Sequence, residues 1–504
     1  MILVNNFIIL DDHDIVAVAL QDIKKGSVLK TKSHGDVTVL EDITRGHKIA
    51  LEDIAEGEDI IKYGYPIGHA TKPIKRGTHV HVNNIATNLS GELQYHYDPI
   101  KIGSKVKKDQ RTFMGYKRPN GKVGIRNDLY IIPVVGSVSE MLDPLVEQFK
   151  ALHPDDGNFD NVIPLKHTYG FDTPEDNYEH ARKILVDAAL QPNAGAVLIC
   201  GLDCADDSEL EKMKQALIKA GGPIYSDRIK FLSSTDSDDE LADGLDMLEE
   251  LNQAVAEDQR TPQPLSELKI GLKCGGSDGL SGVTANPLLG RLSDFVDAQG
   301  GTTVLSEVPE MFGAEQILMS RARDKATFDK IVNLINNFKA YFESFHQPIY
   351  ENPSPGNKAG GISTLEDKSL GCTQKSGSSA VNDVLQYGDK LKTKGLNLLQ
   401  APGNDLVSSS AEASADCQMV LFTTGRGTPF ATYVPTVKVS SNSYIANLKP
   451  RWIDFDAGRL MNESMDDLAD EFIQFIIDVA SGKKTNNEKY NVHGIAIFKT
   501  GVTE

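Results

Sequence analysis

Over the first 97 residues, apolar positions come in short runs parted by turns; residues 16–20 are one such run. Four turns share one shape, a polar or proline start, an isoleucine and a terminal glycine: Asp22 to Gly26, Asp42 to Gly46, Asp53 to Gly57 and Pro73 to Gly77. Their spacing is irregular, which predicts recurring turns in a small β-rich module rather than a solenoid. Beyond Phe113 the pattern changes. Continuous apolar runs at 129–135, 196–200, 268–274, 302–306, 396–399 and 419–422 alternate with stretches of helical spacing. That alternation predicts an α/β region built on a doubly wound parallel sheet. Asn120-Gly121 marks a hairpin turn. Residues 464–479 place Leu468, Phe472, Phe475, Ile476 and Val479 on one helical face. The predicted organisation is a β domain at 1–97, a polar linker at 98–112, an α/β domain at 113–262 and a C-terminal α/β domain at 263–504.

The stretch 268–310 organises the rest. An apolar strand ends at Cys274 and breaks into Gly275-Gly276-Ser277-Asp278-Gly279. Thr284-Ala285-Asn286-Pro287 follows, with Asn286 as the expected helix N-cap and Pro287 as the first helical residue. Gly300-Gly301 stops the helix. A second strand at 302–306 leads to Glu307 and Glu310. Ligands in open α/β sheets bind beyond the carboxyl ends of strands. That edge is predicted to hold Cys274, Ser277, Asp278, Thr284, Asn286 and Glu307. The strand at 419–422 likewise empties into Thr423-Thr424-Gly425-Arg426-Gly427-Thr428-Pro429, where Arg426 can fork onto a carboxylate. His69, His79 and His81 gather at the end of the β module. His79 and His81 share a strand face and suit a metal or acid–base role. Cys204 lies just past a strand end, whereas Cys200 lies within that strand and belongs to the core.

The chain has 504 residues, 40% of them hydrophobic and 24% charged, a composition of a globular protein. A net charge of −19 argues against nucleic-acid or membrane-surface partners but leaves a small anionic substrate open. Five unevenly spaced cysteines suggest free thiols in a reducing compartment. No basic leader and no membrane-spanning apolar run stand out, so a cytoplasmic protein is expected. Homo-oligomerisation is left open.

The run 115–127, Cys274 to Gly279, Thr284 to Pro287, residues 352–361 and Thr423 to Pro429 together resemble the altronate/galactarate dehydratase family over nearly the whole chain. The first 97 residues resemble its SAF (antifreeze-like) β-clip module. Leu370-Gly371-Cys372-Thr373-Gln374-Lys375 and Pro402-Gly403-Asn404-Asp405 look closer to the altronate branch. The resemblance implies dehydration of a sugar acid to a 2-keto-3-deoxy acid with a divalent metal. Fe2+ is the expected ion, with Mn2+ or an iron–sulfur cluster as alternatives. Four positions depart from the family pattern. Phe171 stands where a cysteine is usual, Asp203 and Ala205 flank Cys204 where Gly and Glu are usual, and Asn83 stands where a histidine often follows His81.

Such a β-elimination needs a stabilised enediolate, a base for the α-proton and an acid for the departing hydroxyl. Candidates for metal and acid–base work are His81 and His69, then His167, with Asp278 and Glu307. Cys204, Cys274, Cys372 and His81 are candidate metal ligands; Cys372 is expected in a glycine loop. Arg126, Asn127, Ser277, Thr284, Asn286, Lys358, Thr424, Arg426 and Thr428 are candidates for substrate binding. A galactarate dehydratase, a sulfolactate-type lyase and a sugar-acid sensor remain as other readings.

Overall fold

The computed structural model describes residues 6–89, 94–103, 106–170, 175–202, 208–221, 227–350 and 352–500. Antiparallel strands build the N-terminal module. Phe7–Ile8, Val16–Ala19, Lys48–Ala50 and His79–Val80 form one sheet, and Asp59–Lys62, Tyr65–Ala70 and Ile85–Ala86 another. The four recurring turns are two copies of one pair. Ile23 bridges Ile43, and Ile54 bridges Ile74. Asp22 accepts from the Arg45 amide as Asp53 accepts from the Arg76 amide, at 2.9 and 2.8 Å. Gly26, Gly46, Gly57 and Gly77 close the turns at φ of 83–85°, a region open to glycine at little cost. The repeat therefore lies in pairs of turns, which single-turn spacing hides.

The middle of the chain forms a four-stranded parallel sheet, in spatial order Val162–Pro164, Asp128–Pro133, Ala194–Gly201, Ile229–Ser233. The Asn120-Gly121 hairpin forms as expected, with Lys117 opposite Val123. Thr261–Pro264 returns to pair with Thr112–Lys117, so that strand bridges the two α/β parts. The C-terminal part is a seven-stranded parallel sheet. Its order is Val381–Leu385, Gly395–Leu399, Thr302–Leu305, Lys269–Cys274, Met419–Thr424, Thr436–Ser440, Phe455–Asp456. The winding direction reverses between Lys269–Cys274 and Met419–Thr424, a topological switch point where crevices form. The loops after Cys274 and Thr424 open there. Among the described residues no helix is long and apolar enough to cross a membrane.

Two expectations are corrected. The helix after the glycine loop spans Ala285–Gln299 with Thr284 at its N-cap, so Asn286 lies inside it. The Asn286 amide makes tertiary bonds instead, donating to the Gly371 carbonyl at 2.9 Å and accepting from Thr423 Oγ1 at 2.6 Å. Cys372 lies in the helix Leu365–Thr373, not in a loop. Every residue of that helix is buried, so it shows no apolar stripe for a periodicity reading to catch.

Candidate active site at the seam of the module and the body

Backbone meets backbone where the module docks on the catalytic body. A Cβ added to Gly279 would stand 2.0 Å from the Gly46 carbonyl oxygen, and one added to Gly361 would stand 2.3 Å from it. Buried charge locks the contact. Lys48 Nζ donates to Asp367 Oδ2 at 2.7 Å and to the Gly361 carbonyl at 2.8 Å; Lys62 Nζ donates to Asp367 Oδ1 at 2.8 Å. Burial, together with the Lys62 charge, pushes Lys48 down to about 8 against the pull of Asp367. Burial would raise the Asp367 carboxyl, but the two ammonium groups hold it well below the carboxylate range.

Three imidazoles converge beside this lock. His47 Nδ1 lies 2.8 Å from His79 Nε2, and one donor nitrogen from each of His47, His79 and His81 falls within 4.8 Å of the others. His47 Nε2 faces the Ala359 carbonyl of the body at 3.4 Å. His81 Nδ1 is buried without a hydrogen-bond partner among the described residues. Burial pushes His79 and His81 down to about 4, helped by neighbouring positive groups, so both rings are neutral near pH 7. Neutral imidazoles with an orphaned nitrogen fit a divalent metal. A cleft of about 660 Å3 opens alongside, lined by Thr44 and Arg45 of the module and by Asp278, Gly360, Arg426 and Tyr444 of the body.

Behind Asp278 lies a buried polyionic cluster. Cys274 Sγ is 3.0 Å from Glu310 Oε2, 3.5 Å from Cys372 Sγ and 2.8 Å from Lys375 Nζ. Lys368 pairs with Glu310 at 2.8 Å, and Lys273 pairs with Glu307 and, at 3.0 Å, with Asp405. Glu307 holds a left-handed backbone at φ 66°, strain of the kind found at functional sites. Burial and the Glu310 charge push the Glu307 carboxyl up. Burial opposes ionisation of Glu310 too, but Lys368, Lys375 and Lys273 hold it down. The hydrogen bond to Cys372 lowers the Cys274 thiol to about 7, while that bond and burial raise Cys372. A small cavity lined by Lys62, Ser277, Asp278, Asp367, Lys368 and Cys372 links this cluster to the seam, and Ser277 Oγ is buried there without a partner among the described residues.

The structure thus brings together His81, Asp278, Ser277, Glu307, Cys274, Cys372 and Arg426. Asp278 accepts from Ser281, Leu280, Ser441 and Asn442, which fixes the glycine loop and the loop at Ser441-Asn442 around it. Thr284 Oγ1 donates to the Leu280 and Ser441 carbonyls. Thr424 Oγ1 accepts from the Gly427 amide, and the Thr428 carbonyl accepts from Lys438. Lys358 lies in the short helix Pro355–Ala359, whose end lines the cleft.

Other candidates lie elsewhere. Arg126 is buried in an ion pair with Glu488 and donates to the Ile125, Val479 and Lys483 carbonyls. Asn127 accepts from Arg118. His167 has both ring nitrogens engaged, by the Pro133 carbonyl and the Tyr169 amide. His69 contacts Asn88 on the module's other sheet, apart from the trio. Asn83 is an exposed turn residue. Phe171, Asp203, Cys204 and Ala205 lie outside the described residues. Sequence reasoning passed over His47, Glu310, Lys273, Lys368 and Lys375. His47 could have been found, because it follows the second copy of the turn as Thr78-His79 follow the fourth.

Fold and site define an enzyme whose chemical groups are divided between a β module and an α/β body. Three family models match it in order: the altronate/galactarate dehydratase SAF domain at 5–88, the D-galactarate dehydratase/altronate hydrolase second domain at 115–256, and the D-galactarate/altronate dehydratase C-terminal domain at 265–503. The chain is 54% identical to the altronate dehydratase of Bacillus subtilis (strain 168), covering 99% of both chains. It is 51% identical to that of Escherichia coli (strain K12), over 97% of this chain and 98% of the relative. It is 31% identical to the galactarate dehydratase (L-threo-forming) of Escherichia coli (strain K12), over 98% and 96%. The chain belongs to the altronate/galactarate dehydratase family and is a hydro-lyase.

Proposed function

We propose that the protein dehydrates a hexonate, D-altronate or a close stereoisomer, to 2-keto-3-deoxygluconate, with a divalent ion, Fe2+, on His47, His79 and His81. The observation that carries this reading is the convergence of three imidazoles from the module, with His47 against Ala359 in the wall of the cleft bearing Asp278 and Arg426. The full-length relatives at 54% and 51% identity, against 31% for the galactarate enzyme, support a hexonate over a hexarate. The lysine-rich cluster is the less suitable home for a cation, since Lys375 and Lys368 already neutralise Cys274 and Glu310.

When bound, the ion supplies Lewis-acid stabilisation of the enediolate. The chain's own residues do the rest. Arg426 offers two parallel donors to the substrate carboxylate from the loop after Thr424. Asp278 ties the glycine loop to the loop at Ser441-Asn442, and Asn442 in turn donates to the Gly425 carbonyl of the Arg426 loop. Burial and the Glu310 charge favour the protonated form of Glu307, while Lys368, Lys375 and Lys273 favour the anion of Glu310, so these neighbouring carboxyls are the candidate acid and base. Lys273 and Lys375 keep charge balanced as a proton moves. The test is a panel of hexonates and hexarates, assayed for 2-keto acid formation with Fe2+, with Mn2+ and after chelation. Faster turnover of a hexarate would move the assignment to galactarate, and binding without keto acid would make the protein a sensor.

A further inference from the structure

The geometry points to Cys274 and Cys372 as a reversible oxidation site, a dithiol that a hydroperoxide converts to a disulfide. The two sulfurs are 3.5 Å apart in a buried pocket, so closure to an S–S bond of about 2 Å needs only a small approach. They sit on separate elements, Cys274 at the end of the strand Lys269–Cys274 and Cys372 near the end of the helix Leu365–Thr373. The bond would therefore join the central strand to the helix that carries Asp367.

The surroundings divide the chemistry between the two thiols. Lys375 Nζ donates to Cys274 Sγ at 2.8 Å and favours its thiolate, the nucleophilic form. Among the described residues Cys372 has no ammonium contact so close, and it lines the small cavity that reaches Ser277 and Asp278. The Cys274 thiolate attacks one peroxide oxygen; the O–O bond breaks, a proton is taken up and water leaves, giving a sulfenic acid. The Cys372 thiol then attacks that sulfur and a second water leaves. Two thiols have lost two electrons and two protons, and the hydroperoxide has been reduced. Cys200 and Cys417 are also buried, but neither has a sulfur partner among the described residues. Oxidation removes the anion facing Lys375 and leaves that ammonium with Glu307 and Glu310, each 3.8 Å away. The proton-handling cluster is thereby rearranged and turnover falls.

Chelator-treated full-length protein, incubated with a few equivalents of hydrogen peroxide, should lose two thiols. Peptide mapping should show the Cys274 and Cys372 peptides joined, two mass units below their sum. In Cys372→Ser the reaction should stop at a sulfenic acid on Cys274 that a dimedone tag captures. Oxidised protein resupplied with Fe2+ should be at least tenfold slower and recover with dithiothreitol. Loss of activity by metal oxidation alone would leave the thiol count unchanged and overturn the inference. A Cys204 linkage, unlinked sulfinic acids, or a thiolate-to-metal absorption band quenched by either cysteine variant would overturn it too.

Discussion

Asp367 receives Lys48 on one carboxylate oxygen and Lys62 on the other, at 2.7 and 2.8 Å, and so ties the residue after His47 to the helix that carries Cys372. All three side chains are buried. Removing the shared anion strands two ammonium groups in a dry interface. Asp367→Asn is expected to cost about 3–5 kcal/mol and to loosen the module. Thermal melts and limited proteolysis near residue 97 would show it. An unchanged melt would mean that the glycine contacts alone hold the seam.

His79→Ala and His81→Ala should each cut bound metal and lower turnover by more than about tenfold, with folding retained. His69→Ala should keep both, because His69 pairs with Asn88 away from the trio. Metal content by mass spectrometry decides the matter directly. Equal metal loss in all three variants would count against a specific trio.

The two arginines singled out in the sequence should part company. Arg126→Ala abandons Glu488 and three carbonyls in the interior, so a loss of about 3–5 kcal/mol is expected. Arg426→Ala touches an exposed loop residue and should raise KM about tenfold or more while the melting temperature stays put. Steady-state kinetics beside calorimetry separates the cases. A destabilised Arg426→Ala protein with normal KM would remove it from substrate binding.

Glu412 gives a pH signature. Burial pushes its carboxyl from 4.5 up to about 8, and one oxygen lacks a partner among the described residues while Ser306 donates to the other. The folded state therefore binds more protons than the unfolded state between those values, and its contribution to stability falls as pH rises through that window. Below 4.5 both states are protonated and the penalty vanishes. Glu412→Gln should flatten the fall by a few kcal/mol, at ~1.4 kcal/mol per unit. Melts at pH 5.5 and 8.5 for both proteins test the sign. A steeper fall in the variant would show that Glu412 is ionised and stabilising.

Strand ends were the legible part of the sequence. The apolar runs closing at Cys274 and Phe422 sit within a residue or two of the observed strand ends, and their loops open at the switch point. The buried lysines were not legible, because Lys273, Lys368 and Lys375 look like surface charge until the fold supplies Glu307 and Glu310. The histidine trio was half legible. His79 and His81 share a strand face, but His47 joins them only through the pairing of Lys48–Ala50 with His79–Val80. Arg126 shows the converse: a conspicuous motif residue can be spent on holding Glu488.

The glycine joint at the seam also bears on how such an enzyme can change what it accepts. Gly46, Gly279 and Gly361 come from three separate segments and leave no room for a side chain. Mutation at the joint would lift the module away and take the histidines out of reach of the body, so variants there are lost rather than retuned. The rim is freer. Thr44, Arg45, Arg426, Tyr444 and Leu448 face the cleft without holding the halves together. New substrate ranges in this lineage should therefore accumulate as rim exchanges around an unchanging glycine hinge-line.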